Sequence, residues 1–378
     1  MKLIHLSDLH IGKRVNDFSM IEDQKYILNQ ILEIIRKEEP DAVLIAGDIY
    51  DKSVPSAEAV EVFDDFLVSL AEAELPVFLI SGNHDSAERL SFGGRILEKS
   101  RIHVSPVYHG ETAPVTLRDS WGPVRVFMLP FVKPSQVRAF FPDREIETYT
   151  DAVAAAVESM DVDEKERNVL ITHQFVTGSV RCESEELSVG GTDNVDAGVF
   201  EAFDYVALGH LHGPQSAGKE TVRYCGSPLK YSFSEVRHQK SVTVLELREK
   251  GQVTVKTRPL TPRRDLEEIR GNYMEVTDRS FYETLDTDRY FHIILTDEED
   301  IPDAVGKLRS IYPNLMRLSY DNRRTRGDRA PGELRPAGQK KSPLDLFSDL
   351  YRMQNNRELS PRQAEFMKTL IEEIWEEG

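Results

Sequence analysis

The sequence predicts an α/β layered fold with its functional site at the carboxyl ends of the strands. Five short apolar runs each end in Asp, Asn or His, and amphipathic helical segments alternate with the first of them. The length, 378 residues, exceeds one ordinary core and predicts a large domain followed by smaller ones.

The elements follow in order. "KLIHLSDLH" (2–10) is an apolar strand ending in Asp8 and His10. Residues 20–39 form a helix with Leu28, Ile31, Leu32 and Ile35 on one face. "DAVLIAGDIYD" (41–51) is a second strand, ending in Asp48 and Asp51, and 57–74 a second helix with Val60, Phe63, Phe66, Leu67 and Leu70 inward. "VFLISGNHD" (77–85) runs into Asn83, His84 and Asp85, and Asp85 with Glu88 reads as a capping box opening the next helix. "NVLITHQ" (168–174) ends in His173, and "YVALGHLH" (205–212) in His210 and His212. In sheets of this class, sites form at the carboxyl ends of strands, so these clusters should meet at one edge.

The character changes near residue 262. A strand-helix-strand module is expected over 263–321, then a flexible basic linker over 322–341, with seven basic and two acidic residues. Two capped helices close the chain within 342–378. Ser342, Pro343 and Asp345 mark one start, and Ser360, Pro361 and Gln363 the other. Their apolar stripes, Leu344, Phe347, Leu350 and Tyr351 in the first and Phe366, Met367, Leu370, Ile371 and Ile374 in the second, are too short to be buried alone and call for a partner.

Acidic residues number 65 against 47 basic, for a net charge of −18. That balance argues against nucleic-acid binding by the whole surface, though a local site can reverse the sign. Cys182 and Cys225 are the only cysteines, so a disulfide framework is not expected. No run approaches the roughly 20 apolar residues of a membrane span, and no charged segment followed by a long apolar one opens the sequence. A soluble cytoplasmic protein is expected.

Asp8, His10, Asp48, Asn83, His173, His210 and His212 form a mixed carboxylate, imidazole and amide donor set without thiolate. Such a set suits manganese, iron or zinc rather than calcium. Seven donors exceed the needs of one such ion and suit two, with Asp48 as the natural bridge. Two divalent cations against two carboxylates leave about +2, an anion site inside an acidic protein. A phosphate ester fits, attacked by a water that the metals activate. His84 is left over beside Asn83 and is suited to protonate the leaving oxygen, with Asp51 to orient it. His5, His103, His109, His238 and His292 read as structural histidines.

"DLH", "GDIYD", "GNHD", "THQ" and "GHLH", in this order, match the signature blocks of the calcineurin-like metallophosphoesterase superfamily. The resemblance implies a β-sandwich flanked by helices and a dinuclear centre. Residues 187–215 and 223–235, "SPLDLF" and "LSPRQ" resemble the bacterial SbcD exonuclease subunits. That family implies two Mn2+ ions, one at Asp8, His10 and His212, the other at Asn83, His173 and His210, with Asp48 bridging. His84 matches its catalytic histidine. Asp51 stands where archaeal and eukaryotic relatives have histidine, and where the superfamily's phosphatases have aspartate pairing with their catalytic histidine. The family also implies an SbcC-type SMC-like ATPase partner, a nuclease domain over 1–262, a DNA-capping domain over 263–321 and a partner-binding tail over 342–378. Lys13, Arg14 and Arg89 are candidate phosphate contacts. The expected function is cleavage of double-stranded DNA ends and hairpins. The alternatives are a phosphoesterase for proteins, nucleotides or small phosphates, and a DNA-end scaffold that keeps its metals without catalysis.

Overall fold

The computed structural model describes all residues except 184, 186–192, 324, 326–343, 345–346, 349–350, 352–358 and 377–378. Two compact units emerge, Met1–Asn322 and Arg323–Gly378.

The first unit is built on two six-stranded sheets. In the first sheet, Lys2–Leu6, Ala42–Ala46, Val77–Ile80 and Ile102–Val104 run parallel in that order. Ser241–Leu247 and Val253–Pro259 extend it antiparallel on the other side of Lys2–Leu6. In the second sheet, Arg167–His173 lies between Gly122–Leu129 and Tyr205–Gly209, all parallel.

Side chains in a strand alternate between faces, and this alternation divides the core. Leu3, Leu44, Phe78, Ile80 and Leu245 of the first sheet meet Val124, Val126, Val169, Ile171, Tyr205 and Ala207 of the second. Their neighbours of opposite phase, Ile4, Val43, Ile45, Val77 and Leu79, pack instead with the helices Ile21–Glu38 and Ala57–Glu72. On the second sheet Phe127, Leu170, Val206 and Leu208 pack with the helix Tyr149–Glu158. The strands that carry the polar clusters are buried on both faces and so read as unbroken apolar runs.

The expected helices form. Leu28, Ile31, Leu32 and Ile35 are buried, as their spacing predicts. Val60 corrects the second helix: it is 44% exposed, Leu67 is only partly buried, and the inward stripe is Ala59, Val62, Phe63, Phe66 and Leu70. Asp85 is also corrected. The helix Ala87–Leu90 is capped by Ser86, whose hydroxyl accepts from Arg89 N. The Asp85 carboxylate turns inward, accepting from the backbone N–H of Gly82, Ile49 and Tyr50 at 3.0–3.1 Å. It thereby ties two strand ends together.

Residues 266–320 form a separate three-stranded parallel sheet, Leu266–Gly271, Tyr290–Leu295 and Leu315–Tyr320, one strand more than the sequence suggests. Its core includes Ile269, Val276, Phe291, Ile293, Leu308 and Tyr312. The module is anchored to the sandwich. Leu266, Tyr290 and Met316 join the helix-side core. The Tyr290 hydroxyl donates to Asp23 at 2.7 Å, and Lys230 pairs with Asp265 at 2.8 Å.

In the second unit the helix Pro361–Glu376 opens on a capping box. Ser360 N donates to Gln363 Oε1 at 3.0 Å, and Gln363 N to Ser360 Oγ at 3.4 Å. Phe347, Tyr351, Leu359, Phe366 and Met367 line one groove, and Phe366 is 67% exposed. Ser342, Pro343, Asp345, Leu350 and nearly all of the expected linker 322–341 lie outside the described residues, as do the side chains of Ile371 and Ile374.

Candidate metal centre

The five polar clusters converge at one edge of the sandwich, three from the first sheet and two from the second. The backbone reaches the site through strained geometry. Asp8, His10, Asp48 and His210 all have positive φ, at 53°, 45°, 50° and 108°. For residues with a Cβ each costs about 1–3 kcal/mol, held by the surrounding structure. The holds are visible: Asp8 N donates to Gly47 O at 3.0 Å, His10 N to Asp48 O at 2.9 Å, and His210 N to the Asp8 carboxylate at 3.0 Å.

The glycines of the motifs make this approach possible. A Cβ on Gly209 would stand 1.8 Å from the Ala46 carbonyl oxygen, and one on Gly82 2.1 Å from Asp48 Oδ1. A side chain at Gly209 would push strand ends of the two sheets apart, and one at Gly82 would displace Asp48.

The donor atoms face one another. His10 Nε2 and His212 Nε2 are 3.0 Å apart, and Asp8 joins them in one cluster. Asn83 Oδ1 lies 3.0 Å from both His173 Nε2 and His210 Nδ1. Asp48 Oδ2 stands between the groups, 3.6 Å from His10 Nε2 and 3.3 Å from His173 Nε2. His173 Nδ1 faces the Ala46 carbonyl at 2.8 Å, so Nδ1 keeps its proton and Nε2 is the nitrogen turned to the centre.

Asp8, His10, Asp48, His173, His210 and His212 are buried. Burial pushes the Asp8 carboxyl up to about 7, and the His210 imidazole down to about 3. Burial likewise lowers His10 and His212. At Asp48 and His173 burial is outweighed by their mutual attraction, which holds Asp48 well below the usual carboxylate range and raises His173 to about 9. Among the described residues, His10 Nδ1 and His210 Nε2 have no hydrogen-bond partner, and both are buried. Lone pairs directed at one another, with buried carboxylates short of positive charge, fit a pair of divalent cations.

His84 stands at the rim. Its N–H donates to Asp48 Oδ1 at 3.0 Å, and its ring packs edge-on to His10 at a centroid distance of 4.8 Å. Asp51 corrects the sequence reading. Its carboxylate does not hold His84; it pairs with Lys13 Nζ at 2.6 Å and lies 3.7 Å from His10 Nδ1. The Asp51 backbone carbonyl holds His84 instead, 3.0 Å from Nδ1. Lys13 is thus already engaged. Arg14 donates to the Asp17 carbonyl, and Arg89 to the Ser53 carbonyl at 2.8 Å.

Sequence reasoning passes over a supporting layer. Gln24 donates to the His10 carbonyl at 2.7 Å, Tyr231 to the Leu9 carbonyl at 2.5 Å, and Ser7 to the Asp8 carboxylate. Glu185 accepts from His212 N at 2.6 Å, and Glu235 and Lys240 flank His212. For Tyr231, Glu235 and Lys240 the only signal is polar residues scattered among apolar ones in "SPLKYSFSEVRHQK".

The sandwich and this donor set define a class. A family model described as calcineurin-like phosphoesterase matches residues 1–214, and the chain belongs to that family, as a metal-dependent phosphodiesterase. Within it, the chain is similar to SbcD proteins, the D component of the nuclease SbcCD. That of Staphylococcus epidermidis is 35% identical over 98% of each chain, and that of Staphylococcus saprophyticus 36% identical over 84% of each. A second family model, described as type 5 capsule protein repressor C-terminal domain, matches residues 262–355. A dimetal phosphatase from Danio rerio aligns at a TM-score of 0.40 with 11% identity, covering 68% of this chain and 96% of that one.

Proposed function

We propose that the protein is the manganese-dependent nuclease subunit of a two-protein machine, cutting double-stranded DNA ends and hairpins together with an SMC-like ATPase of the SbcC type. The observation that carries this reading is Asp48 standing between two donor clusters, with the His84 ring close to His10 and Asp48 and held at Nδ1 by the Asp51 carbonyl. The similarity to the SbcD components of SbcCD nucleases supports the substrate class.

Asp8, His10 and His212 would hold one ion and Asn83, His173 and His210 the other, with Asp48 common to both. The bound pair supplies water activation and neutralises charge building on the phosphate oxygens. The protein does the rest. Water adds to phosphorus as the bond to the leaving oxygen breaks; that oxygen takes a proton from His84 Nε2, and the proton the water gives up passes to solvent, from which His84 is reprotonated. The Asp51 carbonyl keeps the ring in this orientation by accepting from Nδ1.

Residues 263–321 act as the DNA-capping domain, and 342–378 as the partner-binding tail, where Leu344, Phe347, Leu350, Tyr351, Phe366, Leu370 and Ile374 meet the ATPase. The exposure of Phe366 supports this. Arg14 and Arg89 contact DNA phosphates, and Lys13 does so from its pair with Asp51. The assembly is a homodimer of this chain within a heterotetramer. Phe92 and Ile96, 86% and 73% exposed, support a further interface. The site of action is the cytoplasm; among the described residues no helix is long and apolar enough to cross a membrane.

The test is nucleotide release from linear duplex and hairpin DNA in manganese, with and without the ATPase. Release that the ATPase enhances is expected. Intact DNA alongside hydrolysis of a simple phosphomonoester would leave the metal centre standing and reject the substrate.

A further inference from the structure

The two halves of the metal centre are anchored differently. His173 is oriented by the main chain, through the Ala46 carbonyl. His212 is surrounded by side chains. Glu235 Oε1 lies 3.5 Å from His212 Nδ1. Lys240 Nζ donates to the His212 carbonyl at 2.8 Å, to Ser227 Oγ at 2.8 Å and to Glu235 Oε2 at 2.5 Å. The Glu235 and Lys240 side chains are only 0% and 3% exposed.

A buried ion pair is poor material for stability, because the cost of desolvating both charges offsets their attraction. Its placement supplies a different use. A histidine that binds metal through one nitrogen is oriented by what its other nitrogen donates to. A carboxylate facing Nδ1 holds the proton there and presents the Nε2 lone pair to the centre, where His10 Nε2 waits 3.0 Å away. Lys240 fixes both the carboxylate and the backbone of the ligand it serves. Glu235 also accepts from Tyr231 N at 3.2 Å, and the Tyr231 hydroxyl donates to the Leu9 carbonyl, next to His10. One short segment therefore steadies two ligands of the same ion and none of the other's.

Resting on the dinuclear reading above, we infer that Glu235 and Lys240 are positioning residues that set the affinity of the ion at Asp8, His10 and His212, independently of the ion at Asn83, His173 and His210. The second ion then stays when the first is lost.

The test is Mn2+ titration into the metal-free full chain, followed by calorimetry and by electron paramagnetic resonance. The wild type is compared with Glu235→Gln, Glu235→Asp and the double variant Glu235→Gln/Lys240→Gln. Glu235→Asp keeps a charge opposite Lys240, and so the fold, while drawing the carboxylate back from His212; circular dichroism checks the fold. Two ions with a spin-coupled spectrum are expected for the wild type. In the variants one site should weaken about 10–100-fold, leaving an isolated-ion spectrum at one equivalent. Folded Glu235→Asp with two wild-type affinities overturns the inference, as does equal weakening of both sites. A wild type that takes fewer than two ions overturns the dinuclear reading along with it. Selective 15N-histidine spectra of the unsubstituted chain need no variant: a His212 proton on Nδ1 is expected, and one on Nε2 overturns the inference.

Discussion

His84 is the residue on which chemistry and metal binding separate. Its main-chain N–H donates to Asp48, and in the proposed mechanism its ring, held at Nδ1 by the Asp51 carbonyl, would serve the substrate. His84→Ala should therefore lower turnover by about 10²–10⁴-fold, the range of a lost general acid. Gly209→Ala should act on the metal centre itself. A methyl 1.8 Å from the Ala46 carbonyl must displace the strand ends, so ion binding and thermal stability should fall together, as calorimetry and melting curves would report. His173 makes the metal-free protein pH-sensitive. Its folded value of about 9 lies above the ordinary 6.5, so its contribution is complete below pH 6.5 and is lost as pH rises through 9. The lowered imidazoles of His10 and His210 contribute no slope above pH 6.5. In chelator, the melting midpoint should fall between pH 6.5 and 9. Over the same interval manganese affinity should rise, because the ion displaces that proton. A flat midpoint would contradict the Asp48–His173 pairing.

Elements are legible where burial and chemistry point the same way. A strand buried on both faces shows as an apolar run, and ligands after its last residue break that run abruptly, so Asp8, Asp48, Asn83, His173 and His210 announce themselves. Asp51 does not, because a sequence cannot show whether a side chain or its own carbonyl makes the bond, and Asp85 does not, because Ser86 beside it offers the same helix cap. Val60 is misplaced by less than a turn, since both it and Val62 fit a helical stripe. Glu235 and Lys240 are invisible because such residues normally face water. The third strand of the small module is hidden in the charged run "LEEIRG", which lies at the edge of its sheet. That module's attachment is a separate claim. Tyr290→Phe removes its hydrogen bond to Asp23, leaving a buried carboxylate oxygen with one partner fewer. A loss of about 1–3 kcal/mol in denaturant unfolding is expected, with the ion count unchanged.

The whole molecule carries a net charge of −18, and on the proposed reading only the metal-loaded site would attract anions. DNA binding by the chain alone should therefore be weak and should fall steeply with salt, the slope of log affinity against log salt reporting few phosphate contacts. On the proposed reading, the ATPase and residues 263–321 would supply most of the grip. At the centre of the proposed arrangement, seven side chains would hold two ions and His84 would bind neither. Ion stoichiometry and turnover on linear duplex DNA, measured on the same preparations of wild type and His84→Ala with the ATPase present, test this most directly. Two Mn2+ ions in both proteins, with turnover at least about 100-fold lower in the variant, is the predicted result. Loss of an ion from His84→Ala, or turnover that survives the substitution, would contradict it.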